Sequence, residues 1–183
     1  METRPLRADA RRNRDRLLAV AVRAFSQDGP DVPLDAVARA AGVGIGTLYR
    51  HFPTREALVE AAYRTELDRL CDAAPALLAE LPPERALRAW MDRFVDYITT
   101  KRGMAAALKV VIAAGGNPYA HSRDRMLAAL DGLLAAGVRA GTLRPDVTPT
   151  DVLTGLSGVT LATDRRDQAA RQLDLLLDAL RPR

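Results

Sequence analysis

The sequence predicts an all-α protein, and three observations carry that prediction. Hydrophobic residues make up 48% of the 183-residue chain while aromatics reach only 4%, and Val, Ile and Thr are sparse beside Ala and Leu. That bias favours helices over sheets. Apolar residues recur at three- and four-residue spacing in one segment after another, as the buried face of a helix requires. Glycine and proline punctuate the chain between those segments, and no alternating strand pattern or hairpin signal competes with them.

Residues 1–8 are polar and charged without periodicity and read as a flexible basic arm. From Asp9 to Gln27, Leu17, Leu18, Ala21, Ala24 and Phe25 share one helical face, with Arg12, Arg16 and Arg23 on the opposite one. Asp28-Gly29-Pro30-Asp31-Val32-Pro33 ends that helix. A short helix runs from Pro33 to Ala41: Pro33 suits its first position, Asp35 its electropositive first turn, and Gly42 the left-handed residue after its end. Its buried stripe is Leu34, Val37, Ala38 and Ala41. A third helix over 45–52 stops at Pro53. Thr54 caps a fourth, which carries Leu58, Ala61, Ala62, Leu67 and Leu70 toward Pro75. Helices over about 83–101, 104–114, 118–139, 148–162 and 166–180 complete a set of about nine.

The net charge is +4, and Lys101 and Lys109 are the only lysines. Residues 1–52 hold nine arginines against six acidic residues, so most of that charge lies in the first third. A basic head permits a polyanionic partner. Cys71 is the only cysteine, which excludes an intramolecular disulfide framework and a cysteine-rich zinc site. With only His51 and His121 besides, soft ligands are too few for a specific transition-metal site. Neither a metal nor a cofactor is expected. No apolar leader and no run approaching 18 uninterrupted apolar residues is present. A soluble, cytoplasmic protein without membrane attachment is the expectation.

Gly42-Val43-Gly44-Ile45-Gly46-Thr47-Leu48-Tyr49-Arg50-His51-Phe52 is the stretch with chemistry in it. As a dinucleotide fingerprint it fails, because position 47 is threonine and a helix, not a strand, precedes it. As a P-loop it lacks the Gly-Lys-Ser/Thr ending. As two short helices joined by a glycine-containing turn it fits on every count. Leu34, Val37 and Ala38, with Val43, Leu48 and Phe52, supply the buried contacts. Gly46, Thr47, Tyr49, Arg50 and His51 then face outward, with hydroxyls, a guanidinium and an imidazole suited to phosphate oxygens or base edges. Tyr49 as a core aromatic and His51 as a plain surface histidine remain open alternatives.

Leu34-Asp35-Ala36-Val37-Ala38, Ala41-Gly42-Val43, Thr47-Leu48-Tyr49 and His51-Phe52 with Arg55-Glu56-Ala57-Leu58 together resemble the TetR family of bacterial transcriptional regulators. The resemblance covers about residues 12–60. It implies that Thr47, Tyr49 and His51 contact the DNA backbone and that Arg55 stands where the family usually has a phosphate-binding lysine. It also implies that Gly44, Ile45, Gly46 and Arg50 face bases. Where the family often has a capping serine, this chain has Gly44.

The resemblance further implies a three-helix DNA-binding head over 1–54 and a helical body over 55–183 that binds an effector and pairs with a second copy. Trp90, Phe94, Tyr97, Met104 and Leu108 are candidates to line an apolar effector pocket, with ordinary core as the alternative for each. Leu153 and Leu156, among Gly155, Ser157 and Gly158, and Leu173, Leu176 and Leu180 on the last helix are the candidate dimer interface. No acid–base or nucleophile constellation appears, so an enzyme is not expected. The predicted function is a homodimeric repressor that binds a palindromic double-stranded operator and is released by a small molecule. A low-specificity architectural DNA-binding protein without an effector is the alternative.

Overall fold

The computed structural model describes residues 4–182, with side chains from Asp9 onward. Among the described residues there are nine helices and no strand. They are α1 (Arg4–Gln27), α2 (Leu34–Ala40), α3 (Ile45–His51), α4 (Arg55–Glu80), α5 (Pro83–Gly103), α6 (Ala105–Ala113), α7 (Ser122–Arg139), α8 (Pro149–Ala162) and α9 (Arg166–Ala179).

Three boundaries differ from the sequence expectation. The helix assigned to begin at Asp9 begins at Arg4, so residues 4–8 are the first turns of α1 and not an arm; residues 1–3 lie outside the described residues. α4 runs through Pro75 to Glu80. Proline removes one backbone hydrogen bond and crowds the preceding turn. Here the buried Ala73, Ala74 and Leu77 on either side keep the helix going. α7 starts at Ser122, four residues later than the sequence implied, because His121 takes a left-handed conformation (φ 60°).

The chain divides into two compact units: residues up to Glu66 together with Thr100–Pro118, and Leu67–Thr99 together with Tyr119 onward. In the first, Leu17, Leu18, Ala21 and Phe25 of α1 are buried with Leu34, Val37 and Ala38 of α2, Leu48 of α3 and Leu58, Val59, Ala62 and Tyr63 of α4. α6 belongs to this unit and adds Ala107, Leu108 and Val111, with Met104 in the turn before it. Gly103 closes the packing: a Cβ there would come 3.0 Å from Ser26 Cβ and 3.1 Å from the Ser26 carbonyl oxygen.

The core of the second unit is an aromatic row on α5. Trp90, Phe94 and Tyr97 are buried, with Trp90–Phe94 ring centroids 6.0 Å apart and Phe94–Tyr97 6.4 Å. The Trp90 indole N–H donates to the Leu70 carbonyl at 2.9 Å, satisfying its one polar group. α8 opens with a capping box: the Asp151 N–H donates to Thr148 Oγ1 at 3.2 Å, and the Thr148 N–H returns a bond to Asp151 Oδ2 at 2.9 Å. Leu153, Leu156, Leu173 and Leu180 are buried within the protomer itself, and a Cβ on Gly155 would meet Leu176 Cδ1 of α9 at 3.2 Å. The apolar groups that α8 and α9 leave outside are Leu161, 80% exposed, and Leu175, 62% exposed.

Candidate nucleic-acid interface

α2 is closed almost entirely by its backbone. Gly42, at φ 68°, sends its N–H to Arg39 O at 3.0 Å, and Val43 sends its own to Ala38 O at 3.0 Å. Two otherwise orphaned carbonyls are thereby satisfied, and the chain reverses within three residues. Gly44 is the N-cap of α3 in extended conformation (φ −73°, ψ 150°) and offers no side-chain cap. Its carbonyl accepts from Thr47 N at 2.9 Å and Leu48 N at 3.2 Å.

α3 is one buried residue and a rim of chemistry. Leu48 is fully buried and Phe52, at the C-cap, nearly so. Val43, in the turn, is half-buried. Tyr49 and Arg50 are exposed, while Thr47 and His51 are half-buried. Tyr49 is 48% exposed and Ile45 40%, which removes the core-aromatic alternative for Tyr49. Among the described residues, none forms an ion pair with Arg50. The Arg14 guanidinium of α1 lies 5.6 Å from the centre of the Phe52 ring, a cation–π distance. Thr54 Oγ1 accepts from Ala57 N at 3.1 Å and so caps α4.

Gly46 sits within α3, where glycine is about 1 kcal/mol worse than alanine. A Cβ at either Gly44 or Gly46 would meet no atom of the protein within 4 Å.

Arg55 holds a position the sequence did not foretell. Its Nη1 donates to both Pro30 O and Val32 O at 2.7 Å, tying the first turn of α4 to the α1–α2 connection. A cation in the first turn of a helix opposes the helix dipole, and these two carbonyls offset that. The connection carries two prolines without N–H groups, so its carbonyls find a partner in a side chain. Beside this clip, Pro30, Glu56 and Val59 line one small cavity with Ala107, Val110 and Val111 of α6. No local pattern marks either contact, because both join residues more than twenty positions apart.

The candidate pocket residues are all buried: Trp90, Phe94 and Tyr97 in the second unit, Met104 and Leu108 in the first. Among the described residues, no helix is long and apolar enough to cross a membrane.

Two short helices joined by a left-handed glycine turn, the second presenting an unpaired arginine, a tyrosine, a threonine and a histidine, define a helix-turn-helix DNA-binding protein. Residues 17–62 match the family model of bacterial regulatory proteins of the tetR family, and residues 82–182 match that of the SbtR-like transcriptional regulator C-terminal domain. A TetR transcriptional regulator from Streptomyces coelicolor is 57% identical over 92% of this chain and 98% of its own, with a TM-score of 0.87. A TetR transcription regulatory protein from Mycobacterium vanbaalenii is 39% identical over 97% and 100%, with a TM-score of 0.82. An HTH-type transcriptional regulator of Staphylococcus aureus (strain USA300) is 34% identical over 64 residues, 34% of this chain; the match spans only 35% of that relative's length. The chain belongs to the TetR family and is a DNA-binding transcriptional regulator.

Proposed function

We propose that the protein is a dimeric, sequence-specific repressor released from its operator by a small molecule. The observation that carries this reading is α3, a recognition helix anchored by Leu48 with Tyr49 and Arg50 turned to solvent. Gly44, Ile45, Gly46 and Arg50 face the major groove, Arg50 having the fork that pairs with guanine. Thr47, Tyr49, His51 and Arg55 serve the phosphate backbone. The DNA-reading role falls to residues 1–54, and effector binding and assembly to residues 55–183. The chain works in the cytoplasm and performs no catalysis of its own.

Two copies pair through the outer faces of α8 and α9, where Leu161 and Leu175 are the exposed apolar groups, with Leu176 at their edge. The twofold axis of such a pair matches a palindromic operator. An amphipathic effector held along the Trp90–Phe94–Tyr97 row favours a body conformation in which the two recognition helices no longer match successive major grooves. Near-complete release by this route requires the effector to prefer that conformation about 10⁴-fold.

Footprinting on genomic fragments tests the reading. A discrete protected palindrome, lost when an effector from a thermal-shift screen is added, is the expected result. Uniform coating without a preferred site would instead favour an architectural protein.

A further inference from the structure

We propose that Ile45 reads the C5-methyl group of a thymine in the major groove, and that Gly44 and Gly46 are glycines so that the backbone beside it can approach the base edges. The proposal rests on the DNA-reading role of α3 and names what one of its positions recognises.

Ile45 opens α3 and is 40% exposed. On a recognition helix its apolar side chain has nothing to offer a phosphate oxygen, nor can it donate to or accept from a base. The apolar feature that a base presents in the major groove is the thymine methyl, and that group alone distinguishes an A·T step from its neighbours by contact rather than by hydrogen bonding. Tyr49 lies one turn further along the same face and is also exposed. Thus an apolar strip leads from Ile45 to the body of the tyrosine ring. Exposed arginines on the same unit, Arg14 and Arg50 among them, supply the charge that brings a polyanion to this face.

The flanking glycines are the second observation. Gly42 has a conformational reason for its identity, a φ of 68°, and Gly103 a packing reason, Ser26 at 3.0 Å. Gly44 and Gly46 have neither. Gly44 sits at an ordinary φ of −73°, and a Cβ on either residue meets open space. Nothing inside the chain asks for glycine there. Gly132 and Gly158 also meet open space. Gly44 and Gly46 alone flank the exposed side chain that opens the recognition helix, where a methyl on either would stand between the backbone and a base edge. Bare backbone on both sides makes Ile45 the side chain that reaches deepest at the start of the helix.

The experiment begins by enriching bound duplexes from a random-sequence library with the full-length wild-type protein. If no sequence is enriched, the DNA-reading proposal itself falls. With an operator in hand, each thymine is replaced singly by deoxyuridine, which removes only the methyl. Wild-type affinity should fall about four-fold at one thymine of a half-site, the size of one buried methyl. Ile45→Ala should bind the thymine operator about as weakly as wild type binds the uridine one and be indifferent to the replacement. Ile45 is partly exposed, so a thermal melt serves as the check that Ile45→Ala folds. Gly46→Ala should melt at the same temperature or higher while losing at least ten-fold in operator affinity. Uridine effects of equal size in wild type and Ile45→Ala, or none at all, would overturn the assignment of Ile45. Unchanged operator affinity in Gly46→Ala would overturn the close approach.

Discussion

The two compact units use arginine differently. In the first, the ion pairs described between residues 9 and 66 stay on one helix: Arg12 with Asp9, Arg39 with Asp35 and Arg64 with Glu60. In the second, local pairs such as Arg88 with Asp92 and Arg171 with Asp167 are joined by pairs between helices. Arg88 of α5 reaches Asp174 of α9 at 2.7 Å, Arg166 reaches Asp96 at 3.1 Å, and Arg181 reaches Glu84 at 2.5 Å, while Arg125 pairs with Asp68. Every pair, local or not, cancels one positive charge; only a pair between helices also holds neighbouring elements in register. One composition therefore serves two ends, and a count of charges does not distinguish them. Neighbours in space do.

The largest expected effect tests whether the second unit depends on those pairs or on its aromatic row. Exposed ion pairs contribute little each, so the row should dominate. Trp90→Ala should cost about 3–5 kcal/mol in urea unfolding, through the cavity left beside Phe94 and the lost bond to the Leu70 carbonyl. A loss below about 1 kcal/mol would place the stability of this unit elsewhere.

In the first unit the arginine that matters to the fold is one that touches no acid. Arg55→Ala leaves the Pro30 and Val32 carbonyls without their donor and should cost about 1–3 kcal/mol in unfolding. A salt series on operator binding then sharpens its role. A slope lowered by about one contact per subunit marks Arg55 as a phosphate ligand as well as a clip, whereas an unchanged slope leaves it a clip alone.

Arg88→Met keeps the aliphatic stem and removes the charge that sits between Asp92 and Asp174. It should destabilise by about 1 kcal/mol with the salt dependence of DNA binding unaltered. A changed salt dependence would break the contrast between the units.

The smallest effect is an acid limb. The Thr148 hydroxyl, and then its backbone N–H, hold Asp151 below its ordinary value of 3.8, and Arg165 does the same for Asp167. A carboxylate depressed in the folded state stabilises above its unfolded value, and that contribution is lost as pH falls through the lower folded one. Stability should therefore decline below about pH 3.8. Thr148→Val should make the decline shallower in unfolding curves recorded between neutral and acidic pH.

The first unit was the more legible in sequence because its decisive features are local. Gly42 after α2, Thr54 before α4 and the buried Leu48 are each set by neighbours a turn away. One boundary moved where a local signal met a tertiary one and another where a single residue's backbone decided. Pro75 carries a stop signal, yet buried residues on both sides of it carry α4 onward. The helix expected from about residue 118 begins only at Ser122, because the left-handed His121 delays α7. Helix faces were harder still. The stripe of Leu153, Leu156, Leu173 and Leu180 is visible in the sequence, but periodicity does not say whether a stripe meets its own chain or another. Here these four are spent within the protomer, and Leu161 and Leu175 are what remains outside. Nothing in Ala105–Ala113 marks α6 as sharing a core with α1–α4. That assignment depends on neighbours in space such as Val59 and Val111, which line one small cavity though more than fifty residues apart.

The turn between α2 and α3 has a consequence for how such a protein diverges. Its closing bonds run from backbone to backbone, Gly42 to Arg39 and Val43 to Ala38, and the helix beyond is anchored by Leu48. Ile45 and Arg50, which the proposed reading turns to base edges, take almost no part in holding that frame. After a gene duplication, one copy could therefore drift at these two positions and acquire a new target sequence while its folding free energy barely changes. Most binding surfaces trade stability against novelty when they mutate. Under the proposed reading of α3, the residues that confer meaning and the residues that confer shape occupy separate sites, and selection can act on each without disturbing the other.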